Sequence, residues 1–243
     1  MSIALVTGAS GGLGKEICKS LVEKGFKIVA VDLMETKVLE KNLSDISDSL
    51  EMVIGGVDFS KPETIEGSLK SFLPNKNWTV LVNNAGLSVG GKLFDGTLDQ
   101  WNLMMNVNLT APFILSQLFA NNSKKHDIKG SIVNVSSMVG IIGAKKPGYA
   151  ASKAGMLGLT KSIAMQSGPN IRCNAIYPGA MDTPMTADWD EEIRKKISAG
   201  TPIGRIADPK EIAQIVAFLA DEKQSSFLTG SIINATGGQY LGQ

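Results

Sequence analysis

Histidine and cysteine are scarce in this chain of 243 residues: His126 stands alone, and Cys18 and Cys173 are the only thiols. A metal centre built on nitrogen or sulfur needs several such ligands at short spacings, so no metal site is expected. The two cysteines fall in segments that read as helix and strand, and are expected to be reduced core residues of a cytoplasmic protein. Excess charge of one sign is lacking too, with 24 basic against 23 acidic side chains and a net charge of +1. That leaves no electrostatic footprint for nucleic acid or an anionic membrane. No apolar run approaches the roughly 20 residues of a membrane-crossing helix, and the first strand pattern begins too early for a signal peptide to be expected. Repeats at solenoid periods and low-complexity linkers are also missing. The length suits one large α/β domain, read as residues 1–243, with a substantial core.

What the chain does contain is alternation. Short apolar runs at 2–6, 26–31, 51–57, 78–82, 130–135, 171–176 and 231–234 read as strands, separated by helical patterns such as 13–24, 98–121 and the one opened by Pro147. Asp208, Pro209 and Glu211 occupy the N-cap, N1 and N3 places of a late helix with Ile212, Ile215, Val216 and Leu219 on its apolar face. Alternating strands and helices predict an α/β fold: a single doubly wound parallel sheet with helices on both faces. Ligands of such sheets bind beyond the carboxyl ends of the strands. Residues 180–207 are less regular and form a candidate lid there.

Candidate binding residues cluster at those ends. Residues 7–14 read Thr-Gly-Ala-Ser-Gly-Gly-Leu-Gly between a strand and a helix; glycines at 8, 12 and 14 permit a tight turn and let backbone amides approach a pyrophosphate, although a ligand-free tight loop has the same composition. Asp32 closes the second strand, where a carboxylate accepts hydrogen bonds from ribose hydroxyls and repels a 2′-phosphate, so NAD is expected rather than NADP; the alternative is a helix cap. Gly11, where a basic residue would meet that phosphate, agrees. Tyr149 and Lys153 stand at i and i+4 of one helix and project together. An ordinary phenol, with a pKa near 10, is a poor base at neutral pH, and a cation beside it favours the phenolate. Such spacings also arise by accident.

The set TGASGGLG, Asp32, NNAG at 83–86, VNL at 107–109, NVSS at 134–137, YAASK at 149–153 and PG at 178–179 resembles the short-chain dehydrogenase/reductase family over essentially the whole chain. The resemblance implies a Rossmann fold and a catalytic tetrad of Asn108, Ser137, Tyr149 and Lys153. Tyr149 would be the general acid/base, Ser137 would hold the substrate oxygen, Lys153 would lower the tyrosine pKa and bind ribose, and Asn108 would hold a relay water. Gly8, Ser10, Gly12, Leu13 and Asp32 would meet the pyrophosphate and adenosine ribose. Asp58, Phe59, Asn84, Ala85 and Gly86 would border the adenosine, and Pro178, Gly179 and Thr183 the nicotinamide.

Two departures from the family pattern stand out. The usual serine-to-tyrosine separation selects Ser136, whereas alignment through Met-Val-Gly selects Ser137, which is preferred. The C-terminal Val-Asp-Gly-Gly of the family is Ala235, Thr236, Gly237, Gly238 here, which weakens the expectation of a homotetramer relative to a dimer. The implied activity is NAD(H)-dependent interconversion of a secondary alcohol and a ketone. A 3-oxoacyl-thioester reductase and a non-catalytic dinucleotide sensor are the alternatives. Met138, Val139, Ile141, Ile142, Met181, Met185 and Trp189 are expected to wall a substrate site. Lys145 and Lys146 would receive an anion or, more in keeping with their type, lie in a solvated loop.

Overall fold

The computed structural model describes residues 2–75 and 77–242. Strands β1 (Ile3–Thr7), β2 (Lys27–Val31), β3 (Leu50–Ile54), β4 (Trp78–Asn83), β5 (Gly130–Val135), β6 (Ile171–Pro178) and β7 (Ile232–Ala235) form one sheet. Every pairing is parallel and the order is β3-β2-β1-β4-β5-β6-β7. Parallel pairing needs crossover connections, which cover both faces with helices and explain why the strands are apolar on both sides. Alternate residues of β1 show it: Ala4 and Val6 belong to one core, Ile3 and Leu5 to the other.

Helix α1 (Gly12–Glu23) packs on one face with the later helix described below, while Trp78, lying between the rings of Phe72 and Phe119 at 5.2 and 4.9 Å, anchors the opposite core. The helices that follow in the chain are α2 (Thr36–Asn42), α3 (Ile65–Leu69), α4 (Leu98–Met105), α5 (Ala111–His126), α6 (Val139–Ile142), α7 (Pro147–Ser167), α8 (Glu191–Ala199), α9 (Pro209–Ala220) and α10 (Glu222–Ser225). Helix α9 is the partner of α1 and opens with the expected Asp208–Glu211 capping box. Both cysteines are buried and free, and burial pushes the Cys173 thiol up to about 12 and Cys18 further in the same direction.

Three boundaries differ from expectation. Strand β3 stops at Ile54 because Gly55 lies so close to the backbone of residues 34–36 that no side chain fits, and Gly56 takes a φ of +73°. The helix expected over 98–121 continues to His126 and carries a π turn at Asn106–Thr110. An 18-residue window of this 29-residue helix has a mean hydropathy of 1.3, enough by length and composition to cross a membrane; in this fold Ala111, Leu115 and Phe119 cover the sheet. The 180–207 segment is partly ordered by α8, a short turn at Pro184–Thr186 and a bridge between Met181 and Ala207.

Candidate active site

The strand order reverses between β1 and β4, so their outgoing loops diverge and leave a crevice at the carboxyl ends. A cavity of about 730 Å³ occupies it. The glycine turn forms its floor: Gly8 has a φ of +64°, a Cβ there would come within 2.9 Å of Ala85 Cα, and one at Gly14 would collide with the Gly8 carbonyl. Thr7 Oγ1 accepts from the amides of Asn84 and Ala85, while Asn84 Nδ2 donates to the carbonyls of Thr7 and Gly8, which ties the β1 and β4 loops together. No side chain caps α1, and its N-cap residue is Gly11. The amides of its first turn are therefore free to meet an anion, and the cradle fits a dinucleotide pyrophosphate.

Asp32 is buried at the wall. Its Oδ2 accepts from the amide and hydroxyl of Ser10 at 2.9 and 2.8 Å, and Oδ1 accepts from Met34 N at 3.2 Å. Ser10 thus orients the carboxylate, and further lone pairs remain for hydroxyl donors. The charged side chains along the wall are Asp32, Asp58 and Lys153. Lys15 and Lys19, on the outer side of α1, are engaged by Asp45. Asp58 accepts from the hydroxyl and amide of Ser60, which with Lys61 holds its carboxyl below the usual range.

At the other end of the cavity, Pro147 opens α7 and places Tyr149 and Lys153 together on the wall. Lys153 is buried and its Nζ donates to Val135 O at 2.9 Å; burial pushes its pKa down to about 8. Tyr149 is raised above 10 by burial, and the hydroxyl of Ser137 beside it acts in the opposite direction. The ammonium of Lys153 is engaged by the Val135 carbonyl, and the hydroxyl of Ser137 is a neighbour that favours the phenolate of Tyr149. Ser136 faces the cavity, yet its hydroxyl donates to Lys153 O at 2.7 Å, so it braces α7.

Asn108 sits in the π turn, fully buried. Its Oδ1 accepts from Leu87 N, and its Nδ2 donates to Leu87 O and to Ser152 Oγ. Both amide hydrogens are committed, so the side chain clamps the loop after β4 instead of donating to a water. A Cβ on Gly86 would lie 3.2 Å from Lys153 Nζ and 3.3 Å from Asn108 Oδ1, so glycine admits both.

Gly8, Ser10, Gly12, Leu13, Asp32, Asp58, Phe59, Asn84, Ala85, Gly86, Tyr149, Lys153 and Thr183 line the cavity, whereas Asn108 and Ser137 stand behind its wall. Pro178 and Gly179 are not part of its wall: the Pro178 carbonyl accepts from Met138 N, and Gly179 packs on Thr236 and Gln239. Of the expected apolar wall only Met181 and Met185 contribute, and Ile141 and Ile142 are exposed. Leu33, Leu87 and Leu103 are walls that the sequence did not single out, and Val107, the first residue of the VNL motif, joins them. Leu87 follows the NNAG turn directly, which was the available signal; Leu103 resembles an ordinary core position of a helix. Lys146 Nζ donates to Ser88 O at 3.0 Å and holds the same loop.

Residues 8–239 match a family model described as enoyl-(acyl carrier protein) reductase. A 3-oxoacyl-[acyl-carrier-protein] reductase of Vibrio cholerae is 37% identical, over 98% of this chain and 97% of its own. The dog (3R)-3-hydroxyacyl-CoA dehydrogenase is 34% identical over 99% and 96%. Among solved structures, 4-hydroxyisoleucine dehydrogenase complexed with NADH superposes with a TM-score of 0.88 at 30% identity and complete coverage of both chains. A protein assigned as a 2-deoxy-D-gluconate 3-dehydrogenase of Agrobacterium tumefaciens, with bound NADP, gives 0.88 at 29% identity over 98% and 96%.

Proposed function

Because the chain belongs to the short-chain dehydrogenase/reductase family, whose pyridine-nucleotide oxidoreductases act on CH–OH groups, we propose that it interconverts a 3-oxoacyl thioester and the corresponding 3-hydroxyacyl thioester with NAD(H). One observation carries the substrate class. The curated relatives, a 3-oxoacyl-thioester reductase and a 3-hydroxyacyl-CoA dehydrogenase, name the two directions of one reaction, and each aligns over nearly its full length. This narrows the broader secondary-alcohol expectation to what stood as its alternative. An enoyl reductase would act on a carbon–carbon double bond; two hydroxyls converging at Tyr149 and Ser137 suit a single carbonyl oxygen better.

When bound, the nicotinamide cofactor supplies or accepts the hydride. The glycine turn and the α1 amides hold its pyrophosphate, and Asp32 holds the adenosine ribose. Tyr149, kept protonated by burial, donates a proton to the carbonyl oxygen during reduction, and Ser137 orients that oxygen. Lys153 presents a buried cation close to Gly86. The preference for NAD(H) is supported by the wall itself, where a 2′-phosphate would meet Asp32 without a cation beside it. The 183–185 stretch, with Pro184 against Gly12, serves as the lid. Leu98, Trp101 and Phe113 lie exposed on the outer surface of the long helix and suit a homo-oligomeric contact in a cytoplasmic dimer or tetramer.

The test is turnover of acetoacetyl-CoA with NADH and with NADPH, beside a panel of sugars and hydroxy acids. Preference for NADH and for the thioester supports the proposal. Turnover confined to a sugar or a free hydroxy acid would overturn the substrate class, and preference for NADPH the cofactor.

A further inference from the structure

The structure assigns Arg194, on α8, the part of a positioning residue that holds one wall of the cavity; the functional consequence rests on the reading of that cavity as the nucleotide and thioester site. Thr183, Pro184 and Met185 line the cavity, and Pro184 sits so close to α1 that a Cβ on Gly12 would lie 2.7 Å from its Cδ. These residues belong to an excursion of the chain closed at its base, where Asp182 N donates to Ala207 O and Ala207 N to Ala180 O, both at 3.0 Å. Beyond that base, Thr201 is buried and Ile203 N donates to Gly237 O, so the returning end is packed, but residues 183–199 have little to hold them. Helix α8 contributes no buried residue, and Met185 and Ile203 are exposed.

The arginine supplies what packing does not. Its Nη1 donates to Asp182 Oδ1 at 3.0 Å, Nη2 to Thr186 O at 3.3 Å and Nε to Trp189 O at 3.3 Å. One planar fork thereby links α8 to residues on both sides of Thr183–Met185. No other side chain type reaches three acceptors in this geometry: lysine has a compact ammonium, and its donors cannot spread over the same span. Thr186 adds only local order: its hydroxyl accepts from Thr183 N, and its single proton has Met181 O at 2.7 Å and Thr183 O at 2.9 Å as acceptors. Arg194 makes no hydrogen bond to Tyr149, Ser137 or Lys153 among the described residues. Its loss should therefore loosen the wall without altering proton transfer, and the two freed carbonyls lie near the surface where water can take them.

Hydrogen exchange of the ligand-free protein tests the strut without recourse to activity. In Arg194→Ala, amides of residues 183–189 should lose protection while the sheet keeps its own and the melting temperature stays close to wild type. For the wild type, Arg194→Ala and Arg194→Lys, steady-state kinetics with acetoacetyl-CoA should show KM for nucleotide and thioester raised about tenfold in the alanine variant. kcat should change much less, and lysine should restore only part of the effect. If Arg194→Ala lowers the melting temperature appreciably, Asp182→Ala, which removes the side-chain acceptor and keeps the arginine, takes its place with the same expected loss of protection. Unchanged protection at 183–189, full rescue by lysine, or a fall confined to kcat would each overturn the assignment. A wild-type protein that turns over no thioester would instead count against the functional reading, since the exchange measurement stands apart from it.

Discussion

At the scale of single residues the site contains two groups shifted by the same cause in opposite directions. Burial keeps Tyr149 protonated and drives Lys153 toward neutrality, down to about 8. A protonated phenol is a donor, so the reductive rate should fall and the oxidative rate rise as pH climbs into the alkaline range. Initial rates in both directions across pH check this. Tyr149→Phe should lower turnover by about 10²- to 10⁴-fold while NADH binding, followed by fluorescence titration, stays nearly intact. Lys153 also bears on stability. Between its folded value of about 8 and its ordinary 10.5, the unfolded chain binds more protons than the folded one, so stability contributed at this residue rises with pH across that window. Below it the burial cost, roughly 3 kcal/mol, is present in full. Lys153→Met should thus be more stable than wild type near neutrality. Denaturant titrations should show the difference narrowing toward pH of about 10.

At the scale of elements, the site depends on close approaches that tolerate no side chain. The α1 helix starts so near the β1 turn that a Cβ on Gly14 would overlap the Gly8 carbonyl, which is backbone and cannot rotate aside. Gly14→Ala is expected to cost on the order of 1–3 kcal/mol and to weaken NADH binding as the turn shifts; thermal melts and nucleotide titration read the two effects. The π turn at Asn106–Thr110 works the same way at the far side of the cavity. It places the Asn108 side chain so that Leu87 engages both its oxygen and its nitrogen, and π turns of this kind often mark functional positions in helices. Ser152 extends that clamp to α7 by accepting from Asn108 and donating to Tyr149 O.

For the whole molecule, sheet order decides where everything meets. The reversal between β1 and β4 gathers the glycine turn, Asp32, the NNAG loop and α7 around one cavity, although they lie up to some 140 positions apart in the chain. The outer surface of the long helix carries Trp101 and Phe113, 40% and 48% exposed. Large apolar side chains in that setting are expected at a contact between copies. A Trp101→Glu, Phe113→Glu double variant should shift light-scattering mass toward the monomer; an unchanged mass would place the contact elsewhere.

Much was legible in the sequence because local rules govern it. Seven strand patterns, the glycine turn, the Pro147 start of α7 and the capping box of α9 all follow from periodicity, turn chemistry and capping, which act over a few residues. So does the joint projection of Tyr149 and Lys153, which is a property of one helix. Tertiary structure alone decided what those groups touch. It turned the Ser136 hydroxyl to the α7 backbone and left Ser137 beside Tyr149, directed Lys153 to Val135 O, and moved Pro178 and Gly179 off the cavity wall. Each outcome depends on burial and on contacts between elements far apart in the chain, and burial is the quantity that sets the direction in which Tyr149 and Lys153 are shifted.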